Sequence, residues 1–220
     1  MQSSDAMCGR FTSTASPEEL KRIFGVSVAQ NLCPSWNIAP NQKTLVVTRI
    51  GSQNEAVMAH WGIPFASSKK SLLINARCET VAEKPTFRNA FQTARCLVVA
   101  SGWYEWSAPK KPWYMQLCNF GLMVFGGLLF SKANQKRFVI LTTTADGALA
   151  NIHHRAPLIL SRDNLECWIG DNTAKAAGLL RSAPAKWLNW YRVGPDVGKV
   201  RHDHPTLAMP LSHDELGMEE

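Results

Sequence analysis

The sequence predicts an α+β fold: one compact domain with a mainly antiparallel sheet or barrel-like core and short flanking helices. Three observations carry this. Segments rich in β-formers follow one another from Arg95 to Thr143 with short turns between them, and short connections join antiparallel neighbours. The helix signals are few and brief. No internal repeat, low-complexity tract or composition break divides the 220 residues.

In chain order, Ser16-Pro17-Glu18-Glu19 has the form of a capping box with proline in the first turn, so a helix starts there. Leu20, Ile23 and Phe24 share one face, and Gly25 ends it. Prolines punctuate residues 31–40, which predicts an ordered loop. Thr44–Ile50 and Glu55–Trp61 form a hairpin around Gly51-Ser52-Gln53-Asn54. Gly62–Ser71 reads as a flexible exposed loop made basic by Lys69-Lys70. Leu72-Leu73-Ile74 is a short buried strand that presents Asn75-Ala76-Arg77-Cys78-Glu79, and a helix spans Thr86–Gln92.

Arg95–Ser101 then runs into Gly102-Trp103-Tyr104-Glu105-Trp106, where one carboxylate sits among three aromatic rings. If the rings desolvate Glu105, its pKa rises toward the range useful for proton transfer; if the strand has the other phase, Glu105 faces water. Trp113–Leu117, Leu122–Phe130 and Arg137–Thr143 are further strands. A short helical stretch follows to Ile152, then a strand at Leu158-Ile159-Leu160 and a capping box at Asp163–Glu166 opening a helix with Leu165 and Trp168. Ala174–Leu180 is the next helix and Trp187–Val193 the last strand. Residues 206–220 lack a period and end acidic, which predicts a poorly ordered tail.

A chain of this length buries roughly 70% of its unfolded surface and needs no covalent staples. Its cysteines (Cys8, Cys33, Cys78, Cys96, Cys118, Cys167) contain no C-x-x-C pair, and no signal peptide or transmembrane run is evident. Reduced thiols in the cytoplasm are expected. An excess of 24 Lys+Arg over 17 Asp+Glu, a net charge of +7, suits an anionic partner such as nucleic acid. Some of the eight tryptophans could stack on bases, although core packing accounts for most.

The chemistry centres on Met7-Cys8-Gly9-Arg10-Phe11. If Met7 is removed, Cys8 carries an α-amine of pKa about 7.7–8.0 beside a thiol of pKa about 8.5. With an aldehyde, such a 1,2-aminothiol forms an imine and then a five-membered thiazolidine. The residues alone also leave Cys8 open to reading as a small buried hydrophobe. Met1-Gln2 is a poor site for methionine removal and Met7-Cys8 a good one, so the expected working form begins at Cys8, with residues 1–6 an extension.

Cys8-Gly9-Arg10-Phe11, Trp36-Asn37-Ile38-Ala39-Pro40, Trp61-Gly62, Asn75-Ala76-Arg77-Cys78-Glu79-Thr80, Gly102-Trp103-Tyr104-Glu105-Trp106 and Ile152-His153-His154-Arg155-Ala156-Pro157, in that order, resemble the SOS-response-associated peptidase (SRAP) domain over about residues 7–205. The resemblance implies recognition of abasic sites in single-stranded DNA and a covalent crosslink through the N-terminal cysteine, with lyase and self-cleaving peptidase activities and no cofactor or metal. It implies Cys8 as nucleophile, Asn75 as a clamp on the reacting centre, Glu105 as acid/base and His153 as the proton donor that opens the sugar. Arg10, Asn37, Trp61 and Arg77 are the implied DNA contacts. A monomer is expected, nucleoid-associated when bound to DNA. His154 and Ala156 depart from the family's usual residues, and Phe65 is the only aromatic where the family commonly carries another tryptophan after Trp61-Gly62. Two rivals remain at this level: a cysteine hydrolase pairing Cys8 with His153, and a noncatalytic single-strand binder. A zinc site from His153, His154, His202 and His204 matches no familiar spacing.

Overall fold

The computed structural model describes residues 8–28, 32–65, 68–132 and 134–217. The six residues of the expected extension and the last three of the tail lie outside these. Strands β1 (Arg10–Ser13), β2 (Ser35–Ile38), β3 (Lys43–Ile50), β4 (Gln53–Trp61), β5 (Ile63–Phe65), β6 (Ser68–Leu73) and β7 (Asn75–Arg77) precede β8 (Arg95–Ala100), β9 (Gly102–Ser107), β10 (Lys111–Leu117), β11 (Met123–Lys132), β12 (Gln135–Thr144), β13 (Arg155–Pro157) and β14 (Leu188–Arg192). The helices are α1 (Pro17–Phe24), α2 (Pro85–Thr93), α3 (Leu165–Ile169), α4 (Thr173–Ala177) and α5 (His213–Gly217).

One sheet runs β11-β8-β3-β4-β12-β13, and because β11 also pairs with β12, five of its strands close into a ring. Closure removes the free edges that an open sheet would present. The pairings are antiparallel except where β12 runs parallel to β4 and to β7, so the expected simple meander is broken by these two contacts. The second sheet is five-stranded and antiparallel, in the order β14-β10-β9-β1-β2.

Both faces of the ring strands are apolar. Leu45, Val47, Leu97, Val139 and Leu141 pack with Leu20, Phe24, Phe87, Phe91 and Trp168 of the helices. Val46, Val98, Phe138 and Ile140 join Phe11, Trp103 and Met115 of the second sheet. Phe125 takes both Phe11 and Trp103 edge-on with centroids 6.2 Å away, which fixes the sheets against each other. Gly102 marks the passage from β8 to β9: a Cβ there would lie 2.4 Å from the Met115 carbonyl oxygen and 2.5 Å from the Tyr114 ring, so only glycine permits the approach.

Ser16 caps α1 as expected: it accepts from the Glu19 amide while Glu19 accepts from the Ser16 amide, and Gly25 ends the helix in the left-handed region at φ 71°. Several expectations change. Residues 35–38 of the proline-rich segment form β2, because Phe11 and Ile38 pair across β1. Instead of a loop, 62–71 contains the β5–β6 hairpin, in which Ile63 pairs with Leu73. The Asp163 capping box does not form. Asn164 instead bonds Ser161 through its side chain, and α3 starts only at Leu165. Residues 158–160 have no ladder of their own beyond an isolated bridge from Ile159 to Phe125. The segment after 205 is docked as well: Leu207 is buried with Val193 and Val197, and the Tyr191 hydroxyl donates to the Ala208 carbonyl. Among the described residues no helix is long and apolar enough to cross a membrane.

Candidate active site

The site is assembled by the register between β1 and β9. Arg10 pairs with Tyr104 and Phe11 with Trp103, so the antiparallel count carries Cys8, just ahead of β1, beside Glu105. The Cys8 nitrogen donates to both carboxylate oxygens of Glu105, at 3.0 and 3.2 Å. Cys8 turns through φ 38°, a strained value for a residue with a side chain, as functional positions often are.

Glu105 is only 3% exposed, which decides between its two sequence readings. Burial pushes its pKa up to about 8, partly offset by the Cys8 N–H. The Cys8 thiol is also buried, and its pKa is raised by desolvation and then by the nearby Glu105 charge. His153 Nδ1 lies 3.5 Å from Glu105 Oε1 and accepts from the Arg155 amide at 3.1 Å. The same nitrogen lies 3.3 Å from the Arg155 carbonyl oxygen. His154 lies alongside, ring centroids 4.5 Å apart.

Asn75 opens β7, which runs parallel to β12 with Asn75 opposite Ile140. The backbone just ahead of it is fixed from two sides, since the Ile74 carbonyl accepts from Trp61 Nε1 at 2.9 Å and from the Ile140 amide at 3.0 Å. Ile74 and Ile152, the neighbours of Asn75 and His153, both pack on the apolar cluster that contains Cys8. Cys8, Glu105 and His153 are therefore in direct sequence of contact, and the residue preceding Asn75 borders the same cluster.

The four implied DNA contacts separate. Arg77 ends β7 exposed and free to meet a phosphate. Trp61 is fully buried, stacked on Phe138 and edge-on to Phe11, so it cannot stack on a base; its role is to hold the backbone ahead of Asn75. Asn37 is 1% exposed and spends its side chain inward, donating to the Lys199 and His202 carbonyls and accepting from Arg10. The Arg10 guanidinium binds Asn37 Oδ1 at 2.8 Å and the Val197 carbonyl at 2.7 Å, and burial lowers its pKa. Arg10 and Asn37 thus clasp the 197–202 loop to the strand that follows Cys8. Asp203 completes the clasp by accepting from the Trp36 amide and the Ser35 hydroxyl.

The motif reading assigned no role to Glu79 and Arg155, although both lie inside quoted motifs. Arg155 grips the Glu79 carboxylate with both terminal nitrogens and donates to the Thr142 carbonyl at 2.6 Å. It thereby ties β7, β12 and β13 together, and with them the segments that carry Asn75 and His153. Opposite charges two motifs apart were the available signal. The four histidines form two distinct pairs, and among the described residues no group of three or more His, Cys, Asp or Glu is placed to hold a metal.

The family model described as "SOS response associated peptidase (SRAP)" matches residues 7–200. The chain belongs to the SRAP family. Among SRAP relatives, abasic site processing protein YoaM of Bacillus subtilis is 32% identical, over 94% of this chain and 100% of the relative. Abasic site processing protein YoqW of the same organism is 30% identical over 91% and 98%, and YedK of Escherichia coli 27% over 93% and 100%. A solved protein from Bacteroides thetaiotaomicron shares the SRAP chain's fold with a TM-score of 0.81 at 22% identity, covering 93% of this chain and 100% of that one. A phage-related protein from Bordetella bronchiseptica gives 0.72 at 26%, covering 93% and 99%.

Proposed function

We propose that this protein is an abasic-site sensor that binds single-stranded DNA and bonds itself to the lesion through Cys8, shielding it. The observation that carries the reading is the pair of bonds from the Cys8 nitrogen to Glu105, with His153 at the far side of the same carboxylate. Once the preceding residue is gone, that nitrogen is an α-amine beside a thiol on the adjacent carbon.

The chemistry then balances. His153, as the imidazolium, gives a proton to the ring oxygen of the abasic sugar as the sugar opens, and the neutral ring takes up the proton lost by the anomeric hydroxyl as the aldehyde forms. Glu105, poised near neutrality, takes a proton from the ammonium, freeing the amine to attack the aldehyde carbon. Water leaves with a proton returned by Glu105, giving the imine. The Cys8 sulfur adds to the imine carbon and its proton passes to the nitrogen, which closes the thiazolidine. A thiol kept protonated by burial suits this late addition better than it suits a hydrolase, whose cysteine must be a thiolate from the start. Asn75 orients the aldehyde, and Arg77 holds a flanking phosphate. If the imine eliminates the 3′-phosphate before sulfur adds, the outcome is lyase cleavage. The activity belongs to the cytoplasm, where chromosomal single strands arise.

A second reading has one specific observation behind it. Glu105 touches the nitrogen of the bond that joins Cys8 to Met7, as a group assisting self-cleavage there should. Two forms of the chain test both readings, one translated from Met1 and one from Met7, each checked by intact mass and then incubated with abasic single-stranded DNA. The reading expects a heat-stable adduct only where the mass shows Cys8 first. An adduct formed with Met1 still attached overturns the thiazolidine mechanism. Appearance of a free Cys8 terminus in a Met1 chain purified without peptidase supports self-cleavage.

A further inference from the structure

A groove of about 410 Å³ lies between the end of α1, the turn after β10 and the residues leading into β14. Its walls and floor are apolar, with Ile23, Leu122, Val124, Leu160 and Trp187 among them. Arg162 and Lys186 line it too, both exposed, and among the described residues no carboxylate does. The rim is built: the Cys118 amide donates to the Trp187 carbonyl at 2.9 Å, and Asn119 Oδ1 accepts from the Gly121 amide at 3.0 Å. Between those two turn residues Phe120 is 75% exposed and held at φ 53°. An aromatic side chain left in water at a strained backbone angle lowers stability unless something uses it. Nothing in the crosslinking chemistry does.

We infer that this groove is a docking site for an extended acidic peptide of a partner protein, one that places a bulky apolar side chain on the aliphatic floor and carboxylates against Arg162 and Lys186. Ile23, Leu122, Val124 and Leu160 make the floor aliphatic, which suits an apolar side chain better than a base, since bases stack on successive flat faces. Apolar anchoring with ionic rim contacts is the usual division of labour in peptide recognition. The proposal does not depend on the reading of Cys8.

The probe is a phage-displayed library of random dodecapeptides selected on the whole protein, with affinities of recovered peptides measured by fluorescence anisotropy. The expected consensus is a bulky apolar residue flanked by Asp or Glu, with binding reduced at least tenfold by the double variant Arg162→Glu, Lys186→Glu. Replacing the peptide's acids with lysine should restore binding to that variant and abolish it for the wild type. Phe120→Ser, at a position too exposed to disturb the core, should weaken binding with an unchanged thermal midpoint. The proposal is overturned if the double variant recovers the same consensus, if the consensus lacks carboxylates, or if oligothymidylate displaces the peptides and loses affinity in the double variant, which would assign the groove to DNA.

Discussion

Consider Glu105→Gln in the chain that still carries residue 7, compared with the wild type by urea unfolding across pH. Glutamine preserves an acceptor for the Cys8 amide and the volume of the site, so the variant removes little except the titration. In the folded protein Glu105 keeps its proton up to about pH 8, whereas the reference carboxyl gives it up near 4.5. Between those values the folded state binds the extra proton, so raising the pH favours unfolding: this contribution is complete below the unfolded pKa and is lost as pH climbs to the folded one. Each pH unit in that window is worth about 1.4 kcal/mol, so between about pH 5.5 and about pH 7.5 the wild type should lose about 2.7 kcal/mol relative to the variant. For a domain of this size that is a relative shift of roughly 5–10 °C in thermal midpoint. Parallel pH profiles for the two proteins would refute the buried, protonated carboxyl on which the proposed acid/base role rests.

Other perturbations separate chemistry from scaffold. Cys8→Ala should abolish the heat-stable adduct on denaturing gels and Cys8→Ser leave at most a reversible imine, trapped by borohydride; a stable adduct in the alanine variant would point to another nucleophile. His153→Ala should slow adduct formation roughly 100-fold or more with near-normal DNA affinity, and His154→Ala much less; a reversed order would place the proton donor at His154. Arg77→Ala should lower the salt dependence of single-strand binding by about 0.7 in log–log slope, and an unchanged slope would remove Arg77 from the phosphate path. Trp61→Ala should cost about 3–5 kcal/mol in urea unfolding, as loss of a fully buried ring does, whereas a base-stacking Trp61 would lower affinity and leave stability intact. Arg95→Ala should cost at least about 3 kcal/mol, because the buried guanidinium serves the Phe91, Trp168 and Gly170 carbonyls at the ends of α2 and α3; a stability within error of wild type would contradict that bonding.

What the sequence disclosed and what it hid follow from distance along the chain. Ser16, Glu19 and Gly25 announce α1 because a cap is satisfied within four residues. The β3–β4 hairpin is equally local, its turn falling between Ile50 and Gln53. β2 is not legible locally because its ladder partner is β1, far upstream, and its own proline-flanked residues read as a loop. Glu105 could not be placed by alternation, since a strand of aromatic residues has apolar neighbours in either phase; the pairing of Arg10 with Tyr104 settles it. Asn37 is a DNA contact on the family resemblance alone, and in the structure its side chain donates to carbonyls 162 and 165 positions away. That Cys8, Glu105 and His153 meet was readable from the resembling motifs, while the clasp and the Glu79–Arg155 grip needed coordinates.

The clasp on Arg10 and Asn37 has a consequence for the order of events during synthesis. Chains emerge from the ribosome N-terminus first, and the parts that close around Cys8 arrive late: Glu105, then His153, and last the 197–203 loop that grips the strand behind it. For most of translation the N-terminal segment is therefore bare, open to enzymes that trim it and unable to hold an abasic sugar. On the proposed function, trimming enzymes can act on that segment before the pocket exists, whereas self-cleavage assisted by Glu105 has to wait until it does. On the proposed function, late closure acts as a safety catch that arms the aminothiol only in a finished molecule.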